Sequence, residues 1–246
     1  MNIGRHAIAM VAGALAASAS VAGISQAEVD RLVDVKVLAC VHQEDFDAEE
    51  DSLRRQGATD EMLAHGYCEA LKRTKDAPMR SPDAEKFQAA MAGFVSVARE
   101  CQLTNLLHIA STATNQHSVS DAIASYHRRE PMSRPLMDWC LSRVGDTNVH
   151  EMVRSTIWNC FRKTLKTGRA PLAVKVRILG AARSGLSADP FTVFAADRIL
   201  EENDPTYGRS ALRRRTLQRM SETKDVFGND AMRQYLDTKL KELDAR

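Results

Sequence analysis

Apolar residues along this chain recur at three- and four-residue steps. Phe87, Met91, Phe94, Ala98 and Cys101 step by 4, 3, 4 and 3. That spacing puts them on one stripe and predicts a single helix carrying all five. No stretch alternates with period two, and Ala, Leu, Arg, Lys, Glu and Met, all good helix formers, dominate. The pattern predicts helices over about 29–43, 47–56, 60–75, 83–101, 104–113, 119–129, 135–144, 149–167, 171–184, 190–203, 208–222 and 226–244. Proline marks the boundaries. Ser81-Pro82, Asp189-Pro190 and Asp204-Pro205 each join a capping residue to proline at the first helical position. Asn148 with Glu151 reads as a capping box, and Ser118 with Asp121 as its acidic variant. Asp76–Ser81, with Pro78, is the best candidate linker and reads as a loop between paired helices.

The predicted helix from Val149 is apolar on two flanks. Val149, Met152, Val153, Thr156 and Cys160 share one side, while Trp158, Phe161 and Leu165 extend around the cylinder. At about 100° per residue, Trp158 lies roughly 160° from Cys160. A helix inside a stack buries two flanks; a helix on the surface of a globule buries one.

The same region carries a resemblance. Pro135-Leu136-Met137-Asp138-Trp139-Cys140-Leu141 through Thr147-Asn148-Val149-His150-Glu151-Met152-Val153-Arg154 resembles a HEAT repeat. That family pairs an A helix, often with an early proline, with a B helix that begins near an Asp and contains Val-Arg. Val153-Arg154 falls at the Val-Arg position. Asn148 stands where Asp is usual, and Ile157 where Ala is often found. Pro171-Leu172-Ala173-Val174 through Asp189-Pro190-Phe191-Thr192-Val193-Phe194-Ala195-Ala196 looks like a second copy without the Val-Arg pair, and Leu106–His127 like a poorer third. Pro135 to Pro171 is 36 residues and Asp146 to Asp189 is 43, near the two-helix period of such solenoids. The resemblance covers about residues 103–203. It implies an all-α fold, an α-solenoid of stacked helical hairpins, in which an Asp and an Arg bond between successive repeats. Helical periodicity by itself also fits an irregular α-helical bundle.

Met1–Ala27 reads as an address. Arg5 and His6 precede an Ala-rich apolar run to about Ile24, and small residues lead to a cut after Ala27. This is the pattern of a signal peptide, with Ala17-Ser18-Ala19 as an alternative cut. It predicts a periplasmic or secreted protein, with no membrane span after cleavage and one α-helical repeat-like domain over 28–246.

Charge and cysteines refine the picture. The formal charge is +2, and +1 once Arg5 is removed, which gives no support to nucleic-acid or acidic-membrane binding. Arg213-Arg214-Arg215 reads as a solvated helix face. Asp45, Asp47, Glu49, Glu50 and Asp51 read as an acidic helix start. Five cysteines, Cys40, Cys68, Cys101, Cys140 and Cys160, leave an odd thiol and no compact metal spacing. Cys40 with Cys68 is the candidate disulfide. Cys140 and Cys160, on an antiparallel pair of helices 135–144 and 149–167, would be axially offset by about 12 Å at roughly 1.5 Å per residue, beyond the roughly 7 Å that a bridge allows.

A search for chemistry finds no Gly-x-Ser-x-Gly, no phosphate-binding loop and no His-Glu-x-x-His, since Arg154 stands four residues after His150. The expectation is an exported protein-interaction module, with no enzyme activity, metal or cofactor and with a protein partner. His150, Arg154 and Asn159 are the candidate partner-binding residues. Alternatives are a helical cell-envelope hydrolase and a secreted inhibitor or immunity-type protein.

Overall fold

In the computed structural model the described residues are 23–41, 46–223 and 230–245. The expected signal peptide lies almost wholly outside them. Among them the chain is all-helical. Twelve α-helices follow in order: α1 Gln26–Val41, α2 Phe46–Arg55, α3 Asp60–Thr74, α4 Pro82–Val97, α5 Glu100–Thr112, α6 Gln116–Arg129, α7 Arg134–Arg143, α8 Glu151–Lys166, α9 Leu172–Gly185, α10 Pro190–Asn203, α11 Ala211–Glu222 and α12 Asp230–Asp244, with a short 3₁₀ turn at Tyr207–Arg209.

Side-chain caps set many of the starts. Thr59, Ser81, Asn115, Asp189 and Ser210 each accept a backbone N–H from the first turn that follows. Three sequence expectations fail here. His150, not Asn148, caps α8, and Asn115, not Ser118, caps α6, which starts three residues before the expected 119. Asp204 ends α10 instead of opening a helix, because its carboxylate accepts from Thr206 and Tyr207 and from Arg183, folding the chain into the 3₁₀ turn. The stripe through Cys101 also breaks. Phe87, Met91, Phe94 and Ala98 are buried, but Ala98 is extended, and Gln102 accepts the Arg99 N–H at 2.9 Å to start α5. Cys101 is consequently exposed.

The helices pack in neighbouring pairs. α3 lies against α4, α5 against α6, α9 against α10 and α11 against α12, while α1 covers α3 and α4. α8 is buried on two sides, as its sequence implied, between α6 and α10. α7 leans on α5 and α6. The expected close pairing of 135–144 with 149–167 is therefore not the main packing in this region. Cys140 and Cys160 are both buried, free thiols.

Most side-chain bonds between separate helices join residues 35 to 40 positions apart. Arg73 pairs with Asp34, 39 residues away. Asp76 accepts from the Thr114 N–H at 2.6 Å, a separation of 38. Arg177 pairs with Asp138 at 2.5 Å, a separation of 39. Arg154 pairs with Asp189 at 2.5 Å, a separation of 35, and Arg162 with Glu202, a separation of 40. Each bond thus ties an element to the one two helices further along the chain.

One apolar core runs from Val29 to Tyr207, and a smaller one of Val193, Leu217, Met220 and Leu236 seats the C-terminal helices. Beside the smaller core Asp197 is fully buried, accepting from Tyr207 at 2.8 Å and Tyr235 at 3.0 Å. Arg213 is buried with it and pairs with Glu201 at 2.7 Å, so only part of the Arg213–Arg215 run is a solvated face. Among the described residues no helix is long and apolar enough to cross a membrane.

Candidate functional site

The clearest concavity lies between α4 and α6. Two adjoining clefts of about 380 and 500 Å³ share Gln88 and Asp121. The first is lined by the starts of both helices, including Ala84, Asn115 and His117; the second by their later turns, including Val95, Ser96, Arg128 and Arg129. The two helices therefore run parallel, and the clefts form one groove along them. From Ala84 to Ser96 the groove is about 18 Å long at roughly 1.5 Å per residue. That matches five or six residues of extended chain at about 3.3 Å each. Phe87, Met91, Ala92, Val95 and Ala124 give it an apolar floor.

Asp121 stands at the middle. It is half-buried and has no hydrogen-bond or ion-pair partner among the described residues. Burial pushes its carboxyl above the usual carboxylate range, and the charges of His117 and Arg128 pull it back only in part. A desolvated anion without a partner is costly, and an incoming cation offsets that cost. Arg128 and Arg129 stand at the far end, where Arg129 donates to the Ala98 carbonyl at 3.2 Å. The groove thus offers apolar contact from Phe87 to Val95, carboxylates at Glu85 and Asp121, and guanidinium groups at both ends, Arg80 at one and Arg128 and Arg129 at the other.

The sequence-predicted site residues do not form one surface. Arg154 is 7% exposed and donates to Asp189, to Thr192 at 2.8 Å and to the Val149 carbonyl at 3.1 Å. It holds α8 to the start of α10, buried in a seam where the sequence pattern places it on an outward face. The reason is length: a guanidinium reaches sideways into a seam that a helical wheel counts as surface. His150 is exposed, and its Nδ1 accepts the Met152 N–H at 3.2 Å. Asn159 is exposed and lines a small cleft between α8 and α10 with Trp158, Phe191 and Phe194. At about 100° per residue, His150 and Asn159 fall on opposite sides of α8.

Cys68 is a buried free thiol, and the Cys40 side chain lies outside the described residues, so the expected disulfide is not seen. Burial pushes the Cys160 thiol up to about 12, and Cys140 higher still, with Cys160 adding to the rise. Both stay protonated at neutral pH, which suits a packing role and not a nucleophile. Buried His127 sits near them, its Nε2 2.8 Å from the Thr164 hydroxyl. Among the described residues no group of three or more His, Cys, Asp or Glu side chains is placed to hold a metal ion.

Nothing in the sequence marks the groove plainly, because Asp121 reads there as part of a helix start. Its signal was faint: an acid inside an otherwise apolar or small-residue face, Ser118, Asp121, Ala122 and Ser125. Compared with protein-family models, with curated proteins and with solved structures, the chain finds no match.

Proposed function

We propose that this chain is an exported protein-interaction module of stacked helical pairs, HEAT-like in organisation, which grips an extended polypeptide segment in the groove between α4 and α6. The observation that carries the reading is an apolar-floored groove with a desolvated, unpartnered carboxylate, Asp121, at its centre. A segment with a Lys or Arg beside apolar residues fits it, the cation at Asp121 and an acidic group or chain terminus near Arg128 and Arg129. Main-chain and apolar contacts supply affinity in such grooves, and the charge supplies register.

Two features support the stacked reading. The bonds between helix pairs recur at 35 to 40 residues, the length of one two-helix unit. Arg154 bonds Asp189 in the following unit, at the positions where the resembled family joins successive repeats. The reading of export rests on the pattern of residues 1–27.

Selection from a displayed random-peptide library tests the function. Peptides combining a basic residue with apolar neighbours should be enriched on the immobilised protein. Asp121→Asn should weaken a selected peptide about tenfold or more, and Ala92→Trp, which fills the groove floor, should abolish binding. Absence of enrichment, or binding indifferent to both substitutions, refutes the proposal.

A further inference from the structure

Helix α9 turns an apolar face to solvent. Leu172, Ala173, Val176 and Gly180 are all exposed, Leu172 by 76% and Val176 by 60%. The helix buries Ile178, Ala182 and Gly185 on its other side. At about 100° per residue the four exposed positions share an arc of roughly 100°, facing away from the buried three. The solvent face of a helix ordinarily carries polar and charged residues. The segment leading into α9 is exposed as well, from Lys166 to Arg169 and again at Pro171.

Cations surround this face. Lys166, Arg169 and Lys175 are exposed, and none has an ion pair among the described residues. No Asp or Glu occurs between Met152 and Ala188. The four other arginines of that stretch are already engaged, Arg154 with Asp189, Arg162 with Glu202, Arg177 with Asp138 and Arg183 with Asp204. Among the described residues the unpaired cations of that stretch are Lys163, Lys166, Arg169 and Lys175, the last three within six residues of Leu172.

We propose that this tip docks reversibly onto an anionic lipid surface, with Leu172 and Val176 entering the headgroup boundary and Lys166, Arg169 and Lys175 meeting lipid phosphates. Charge complementarity selects the sign of the partner. Shape and size select a bilayer over a folded protein. Two large exposed apolar side chains fall far short of the roughly 800 Å² per partner of a stable protein interface. A fluid headgroup layer moulds itself around a few exposed side chains and needs only shallow insertion. Each cation contributes about fivefold to such binding, and salt weakens it. The proposal is independent of the groove, which lies on other helices.

Co-sedimentation with unilamellar vesicles tests it. The protein should bind vesicles of equal parts phosphatidylcholine and phosphatidylglycerol at low salt and leave those of phosphatidylcholine alone unbound. Arg169→Glu combined with Lys175→Glu should weaken binding more than tenfold, as should Leu172→Asp. All three positions are exposed, so circular dichroism should show unchanged helix content. Equal binding to both vesicle types, no binding to either, or undiminished binding of the variants overturns the proposal. Capture by soluble polyglutamate without vesicle binding also overturns it and assigns the tip to an acidic polypeptide.

Discussion

Gly93 lies inside α4, where alanine is ordinarily better by about 1 kcal/mol. Here a Cβ would land on the ring of Tyr67, far inside van der Waals contact. Tyr67 is fully buried in α3 and cannot swing aside. The missing side chain lets α3 and α4 approach closely. Gly93→Ala should therefore destabilise the fold despite the gain in helix propensity, by about 1–3 kcal/mol as overpacking typically costs. A lower urea midpoint with an unchanged slope will show it; a neutral or stabilising outcome contradicts the packing described. At the same scale, the role of Arg154 shows how far a single residue can be read from sequence. Its place beside Val153 was legible as a motif. Its burial was not, because the acceptors Asp189 and Thr192 lie 35 and 38 residues away.

The helices themselves were written plainly in the spacing of apolar positions. All twelve were expected, and α10 was placed to the residue. The misses came where a side chain competes for the backbone: Gln102 ending one helix stripe, Asp204 folding a turn, His150 displacing Asn148 as cap. The groove was illegible for a different reason. It forms from two helices whose outward positions have no periodic signature, and only their parallel packing brings Gln88 and Asp121 together. The first helix carries a prediction of its own. The Ser25 carbonyl accepts from the Val29 N–H at 3.0 Å, and Gln26 donates to the Met62 carbonyl at 3.0 Å and to Asp30 at 2.7 Å. A chain begun at Glu28 loses all three bonds and puts a positive terminus at the start of a helix, whereas one begun at Ser20 keeps them. The shorter form should melt lower by a few degrees, at about 1 kcal/mol for the lost cap and roughly 2–4 °C per kcal/mol. Equal melting temperatures would mean that the first turn of α1 is not held by these contacts.

Over the whole molecule, the joints between helix pairs make stability depend on pH in two stages. His127 of α6 is buried against Thr164 of α8. Burial first, and then the charge of Lys163, hold it below its ordinary 6.5. Unfolded chains bind a proton there before folded ones do, so stability falls as pH drops from about 6.5 toward the depressed value. Asp76 and Asp204 behave differently. Lys75 and Thr114 hold Asp76 at about 2, and Thr206 and Arg183 hold Asp204 at about 2. Their contribution is present above the ordinary 3.8 and is lost between there and 2. Asp197, raised by burial, works in the opposite direction and is relieved by protonation. Urea midpoints measured across pH should show both losses, and His127→Gln should remove the first and keep the second. A His127→Gln protein with the parent's full profile would exclude His127 as the source. The joints have a mechanical consequence too. Side-chain bonds between described residues span no more than 40 positions, so none clasps α1 to α12. Neighbouring helices are thus fastened locally, and a change at one seam reaches the far end only by way of every seam between.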